Sequence, residues 1–288
     1  MSTISLLPPA RHCWLAGLIL ASQLATGCGQ KSIPELGIAP GQAATAGAPG
    51  KPMAFANYTC ETVRRHPHDP DAFTQGLFFW DAATLIEGTG LNRRSSLRRV
   101  DLASGRVLQK VDLPDRYFGE GTALLNGRIY QLTWKDQKGF IYDAATLQQE
   151  GEFPYTGEGW GLTTDGNSLI LSDGTDQLRF LDPTTFKVTR SIKATHQGKP
   201  VDHLNELEFI KGEIFANLWG TDLIARLDPA TGVATGVINC TSVFPPGLRT
   251  SPDQLMNGIA WHEPTQRLLI TGKLWPAIFE VKLIKAGP

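Results

Sequence analysis

The chain of 288 residues lacks an excess of charge of either sign: 27 basic and 28 acidic residues leave a formal net charge of −1. So even a balance provides no electrostatic footprint for nucleic acid, which is excluded as an expected partner. Cysteine is scarce, at 4 residues, and none stands at metal-ligand spacing from a histidine. There is no glycine-rich phosphate loop opening a helix and no serine in a nucleophile elbow. Long amphipathic helical patterns are also missing after residue 55. What is plentiful is 30 Gly and 19 Pro, the punctuation of many short strands. With 41% hydrophobic residues they predict an all-β domain with a large core.

Long apolar runs are almost absent. The exception lies at the N-terminus, where Arg11 precedes an apolar run from Trp14 to Leu20 and the small residues Ala25, Thr26 and Gly27 lead to Cys28. The run is too short to cross a membrane as a mature helix and reads as an export signal over residues 1–28. It resembles a bacterial lipoprotein signal, with Cys28 as the lipidated first residue of the mature chain; simple cleavage and secretion is the other reading. Both export the protein, to the periplasm or to a membrane surface reached only through Cys28. Residues 29–53, rich in Gly, Ala, Pro and Gln, read as a flexible tether, and residues 54–288 as the folded domain. Within that domain Cys60 and Cys240 allow a disulfide or two unrelated buried thiols.

One position recurs five times at intervals of roughly 40–50 residues, the length of one propeller blade. It holds Gln75, Glu120, Trp160, Asn205 and Asn257, each opening a β-rich segment. Turn signals follow each anchor, and a second repeating element, Asp101-Leu102-Ala103-Ser104, Asp143-Ala144-Ala145-Thr146, Asp182-Pro183-Thr184-Thr185 and Asp228-Pro229-Ala230-Thr231, joins third to fourth strands. The pattern predicts a five-bladed β-propeller of four-stranded antiparallel blades. The fifth unit runs out near Leu283 after three strands, so Asn57 to Arg65 is expected to complete it and close the ring.

In such a ring the first strands line one channel, so Phe73, Gln75, Phe118, Glu120, Trp160, Asn205 and Asn257 are expected to face one pocket. Glu87, Trp134, Asp173, Trp219 and Lys273, at the ends of the following strands, are expected beside them. An aromatic wall with amides, carboxylates and an ammonium suits a small polar group carrying an amide and an amine. Glu206 and Glu208 are expected to tie neighbouring blades through backbone N–H groups, Trp80, Trp261 and Trp275 to pack the blades, and His66-Pro67-His68 to be turn and surface histidines.

The runs Asp69-Pro70-Asp71-Ala72-Phe73-Thr74-Gln75-Gly76-Leu77, Tyr117-Phe118-Gly119-Glu120-Gly121, Gly159-Trp160-Gly161-Leu162, Leu204-Asn205-Glu206-Leu207 and Thr271-Gly272-Lys273-Leu274-Trp275-Pro276 resemble the plant and bacterial glutaminyl-peptide cyclotransferases. The resemblance covers roughly residues 57 to 284. It implies a five-bladed propeller that converts N-terminal glutamine of peptides or proteins to pyroglutamate, releasing ammonia; no catalytic metal-ligand set is visible in the sequence, so neither metal nor cofactor is expected, and the chain is expected to be a monomer. By motif position it implies catalytic roles for Glu120, Gln75, Asn205 and Lys273, with Glu120 moving the proton. Phe73, Phe118, Trp134, Trp160 and Trp219 would then bind substrate, joined by Asn257 from the repeat. The alternative expectation is a non-enzymatic peptide-binding propeller of the cell envelope.

Overall fold

A computed structural model describes residues 55–287; the expected signal, the tether and Cys28 lie outside the described residues. Strands dominate, with two single-turn 3₁₀ helices and no α-helix among the described residues. Three separate four-stranded antiparallel meanders come first. They are Thr74–Phe79, Thr84–Thr89, Ser96–Asp101 and Val107–Asp112; then Gly119–Leu125, Arg128–Thr133, Lys138–Asp143 and Gln149–Pro154; then Leu162–Thr164, Leu169–Ser172, Gln177–Leu181 and Val188–Lys193. A fourth meander, Leu204–Ile210 to Ala234–Asn239, belongs to an eight-stranded sheet. There the long strand Ala56–Pro67 pairs parallel with Ala234–Asn239 and antiparallel with Ala277–Lys285, which continues to Arg267–Gly272 and Met256–His262.

Burial explains the composition of these strands. Thr74–Phe79 is buried along its whole length and carries only small, apolar or amide side chains, whereas the outer strand Val107–Asp112 alternates half-buried and exposed residues. The strands Thr74–Phe79, Gly119–Leu125, Leu162–Thr164, Leu204–Ile210 and Met256–His262 each touch the next in this order, and the last touches the first. At Gly161 two such strands approach so closely that a Cβ would collide with the Asn205 carbonyl. The turns between third and fourth strands are built as the sequence predicts: Asp101, Asp143, Asp182 and Asp228 each accept a backbone N–H two or three residues on.

Buried carboxylates stitch the meanders together. Glu206 accepts the N–H of Leu77 (3.3 Å) and of Ile259 (2.8 Å), and Glu208 accepts that of Trp261 (2.9 Å). Burial pushes the Glu208 carboxyl up to about 8, from an ordinary 4.5. A carboxyl raised in this way adds stability below its ordinary value and loses it as pH climbs toward the folded one. Glu208→Gln keeps an acceptor for Trp261 and removes the titration. Thermal denaturation at about pH 5 and about pH 9 should therefore show the variant gaining on wild type at the higher pH; a constant difference would contradict this.

The two cysteines of the domain are neighbours, not unrelated thiols. Cys60 and Cys240 are buried and free, with sulfurs 2.8 Å apart, linking the Ala56–Pro67 strand to the end of Ala234–Asn239. Oxidation by a disulfide donor is expected to join them and add roughly 2–4 kcal/mol of stability. Alkylation in denaturant without reductant checks it: oxidised protein should show neither thiol.

His66 and His68 are also not surface histidines, since both are buried. His68 lies between the Trp275 carbonyl (2.7 Å) and Glu87 (2.9 Å), a pairing across sequence that no local pattern announces.

Candidate active site

Four of the five recurring anchors sit on β-bulges. Register shifts fall between Thr74 and Gly76, Gly119 and Thr122, Leu204 and Leu207, and Met256 and Ile259, bracketing Gln75, Glu120, Asn205 and Asn257. A bulge re-aims the residue it carries, which lets strands buried on both faces turn polar side chains toward the axis. Trp160 reaches its place differently, just ahead of its strand. A Cβ at Gly174, where φ is +82°, would lie 2.7 Å from the Trp160 ring, so only glycine leaves room for the indole.

Phe73, Gln75, Phe118, Glu120, Trp134, Trp160, Asn205, Trp219 and Lys273 line one cavity of ≈ 230 Å³. The aromatic wall is continuous on one side, with Phe73 against Phe118 (centroids 6.0 Å apart) and Phe118 against Trp134 (5.6 Å). Trp160 and Trp219 (6.1 Å) form the other side. The Lys273 Nζ lies 4.8 Å from the centroid of Phe73.

Three expected members stand elsewhere. Glu87 is held away from the cavity by His68, Thr74 and Arg98, and Asp173 pairs with Arg179 at 3.3 Å. Asn257 stands behind Gln75, donating its Nδ2–H to the Gln75 Oε1 at 2.8 Å rather than lining the cavity. That bond occupies the Gln75 oxygen and leaves its NH₂ free to donate. The reverse polarity comes from Asn205, whose buried Oδ1 has no protein donor.

Glu120 is only 4% exposed. Burial among the aromatic rings pushes its carboxyl well above the ordinary range; Lys273 opposes the shift and Glu158 adds to it. Burial lowers Lys273, against the pull of Glu120 and Asp253. The site thus pairs a carboxyl whose neutral form is favoured with an ammonium whose charged form is disfavoured. Sequence reasoning missed Glu158, whose Oε2 accepts the indole N–H of both Trp134 (2.7 Å) and Trp160 (2.9 Å). Its place two residues before Trp160 was the available signal. Both indole donors are thereby committed, which leaves Lys273, the Gln75 and Asn205 amides and the Trp219 N–H among the cavity's donors for a ligand.

An all-β scaffold presenting a buried acid, an ammonium and two oriented amides inside aromatic walls defines a site for a small molecule or a chain end. The sequence profile described as glutamine cyclotransferase matches residues 37–283, and the chain belongs to that family. It is 46% identical over 233 residues to the glutaminyl-peptide cyclotransferase of Arabidopsis thaliana, covering 79% of this chain and 72% of that protein. The crystal structure of Myxococcus xanthus glutaminyl cyclase superposes with a TM-score of 0.77 at 35% identity, covering 81% of this chain and all of that one.

Proposed function

We propose that this protein is a glutaminyl-peptide cyclotransferase, an acyltransferase that converts the N-terminal glutamine of a peptide or protein to pyroglutamate and releases ammonia. The observation that carries this reading is the convergence of Glu120, Lys273, Gln75 and Asn205 in one aromatic cavity of a family member. Family membership disfavours the non-enzymatic peptide binder.

In the reaction the substrate's α-nitrogen forms a bond to its own γ-carboxamide carbon, and the bond from that carbon to the amide nitrogen breaks. Nucleophile and electrophile belong to one residue, so the first task is to hold the side chain folded onto the amine. The cavity walls do this, with the Asn205 Oδ1 accepting from the amine and the Gln75 NH₂ donating to the γ-carbonyl. An α-amine titrates near 7.7–8.0, so a usable fraction is neutral without a strong base. The amide nitrogen, by contrast, leaves only once protonated. Glu120, whose surroundings favour its protonated form, gives it that proton and recovers one from the attacking amine. Lys273 faces the oxygen that gains charge in the tetrahedral intermediate, a role worth about 3–4 kcal/mol per donor in comparable sites. The aromatic rings keep out water, which would otherwise give glutamate.

The architecture that best suits the cyclic contacts is a five-bladed propeller, with the Ala56–Pro67 strand completing the last blade and closing the ring. The export signal over 1–28, the tether over 29–53 and lipidation at Cys28 belong to the same proposal, supported by the sequence pattern. A coupled assay for ammonia tests the activity. The purified protein should release ammonia from Gln-initiated dipeptides, and equally after EDTA treatment. Among the described residues no three His, Cys, Asp or Glu side chains are grouped to hold a metal. No ammonia from several such peptides would overturn the reading; loss with EDTA and rescue by zinc would overturn its metal-free form.

A further inference from the structure

A carboxylate joins the two aromatic sides of the cavity between Trp134 and Trp160. Glu158 belongs to no strand. It sits on the loop between Gln149–Pro154 and Trp160, where its Oε2 receives both indole N–H groups. The loop is itself fastened: Arg179 donates to the carbonyls of Thr156 and of Glu158 (3.2 Å) and pairs with Asp173. Lys135 lies 3.7 Å from the centroid of Trp134, with its Nζ 3.9 Å from the Glu158 Oε1. At 40% exposure this carboxylate is not an element of the core, and a core role does not account for it. A single oxygen serving two rings that face one cavity is a device for fixing their mutual angle.

We propose that Glu158 is a positioning residue for cyclisation, locking the indoles of Trp134 and Trp160 into one wall around Glu120 and the folded glutamine side chain. The inference rests on the cyclotransferase reading of the cavity. It also gives Asp173 and Arg179 a purpose, because they hold the loop that presents Glu158. A second consequence follows from charge. The titratable groups about Glu120 are Lys273, Glu158 and the Tyr155 hydroxyl; burial pushes Tyr155 up to about 12, so it stays neutral. Lys135 neighbours Glu158 on its outer side, and Asp253 faces Lys273. Of these, Glu158 is the anion that favours the protonated form of Glu120.

Two variants separate the contributions. Glu158→Gln keeps an oxygen for the indoles but removes the charge, so the alkaline limb of the kcat profile, set by loss of the Glu120 proton, should move to lower pH. Glu158→Ala also removes the acceptor, and kcat/KM for a Gln-initiated dipeptide should fall about 10- to 100-fold, with a changed near-ultraviolet circular dichroism spectrum from the freed indoles. A purely structural role would leave the pH limb of Glu158→Gln unmoved. Wild-type pH profile and kcat/KM in Glu158→Gln, together with unchanged kcat/KM in folded Glu158→Ala, would overturn the proposal. Should the alanine variant fail to fold, the pH profile of Glu158→Gln alone decides. An inactive wild type in the same assay would instead overturn the cyclotransferase reading, and this inference with it.

Discussion

Glu120→Gln is expected to lower kcat by about 10²–10⁴-fold while the protein stays folded. The argument starts from the surroundings of this side chain. Burial holds the resting carboxyl well above its ordinary range, which favours the uncharged acid. A glutamine has nearly its shape and the same charge, so packing against Phe118 and Trp160 should survive and the melting temperature should hold or rise. What the amide cannot do is give a proton to the departing nitrogen and take one from the amine. KM should change little, because orientation rests with Gln75, Asn205 and the rings. Steady-state kinetics and a melting curve on the same sample check this, and wild-type kcat would remove Glu120 from the mechanism.

The largest effect on stability is expected at Glu87. Its Oε1 accepts from Thr74 (2.7 Å) and pairs with His68 (2.9 Å), while its Oε2 pairs with Arg98 (2.9 Å), which also reaches Asp69. Burial works against the carboxylate, yet the charges of His68 and Arg98 outweigh it and bring Glu87 down to about 2. Glu87→Ala leaves buried His68 without its anion and Arg98 with Asp69 alone, a loss of about 3–5 kcal/mol. A carboxyl lowered in this way contributes its stability above the ordinary carboxyl range and loses it as pH falls through about 2. The gap between variant and wild type should therefore be full near neutrality and narrow in acid. Urea denaturation measures it, and a neutral-pH loss below about 1 kcal/mol would mean that the cluster is ordinary surface electrostatics.

The residues that the sequence made legible are those whose signal is local and repeated. The anchors at Gln75, Glu120, Trp160 and Asn205 and the turn aspartates recur with the strand pattern, and the structure brings those anchors and their neighbours around one cavity. Glu206 and Glu208 were readable as ties between sheets because a carboxylate within a largely buried strand needs backbone donors. Glu87 and His68 were misplaced for the opposite reason, since their partners lie 11 to 207 residues away and nothing local distinguishes a buried ion cluster from a pocket acid. Asn257 has the right position in the repeat, but its amide is spent on orienting Gln75. The bulges that turn the anchors inward leave no composition of their own, and Glu158 shows its role only once both indoles are seen pointing at it.

The central claim is the chemistry of ring closure, and mass spectrometry of a Gln-initiated peptide incubated with the purified protein tests it most directly. The peptide should lose the mass of one ammonia, and its N-terminus should become blocked to Edman degradation. A product with a free N-terminal glutamate, or peptide recovered intact from folded protein, would contradict it.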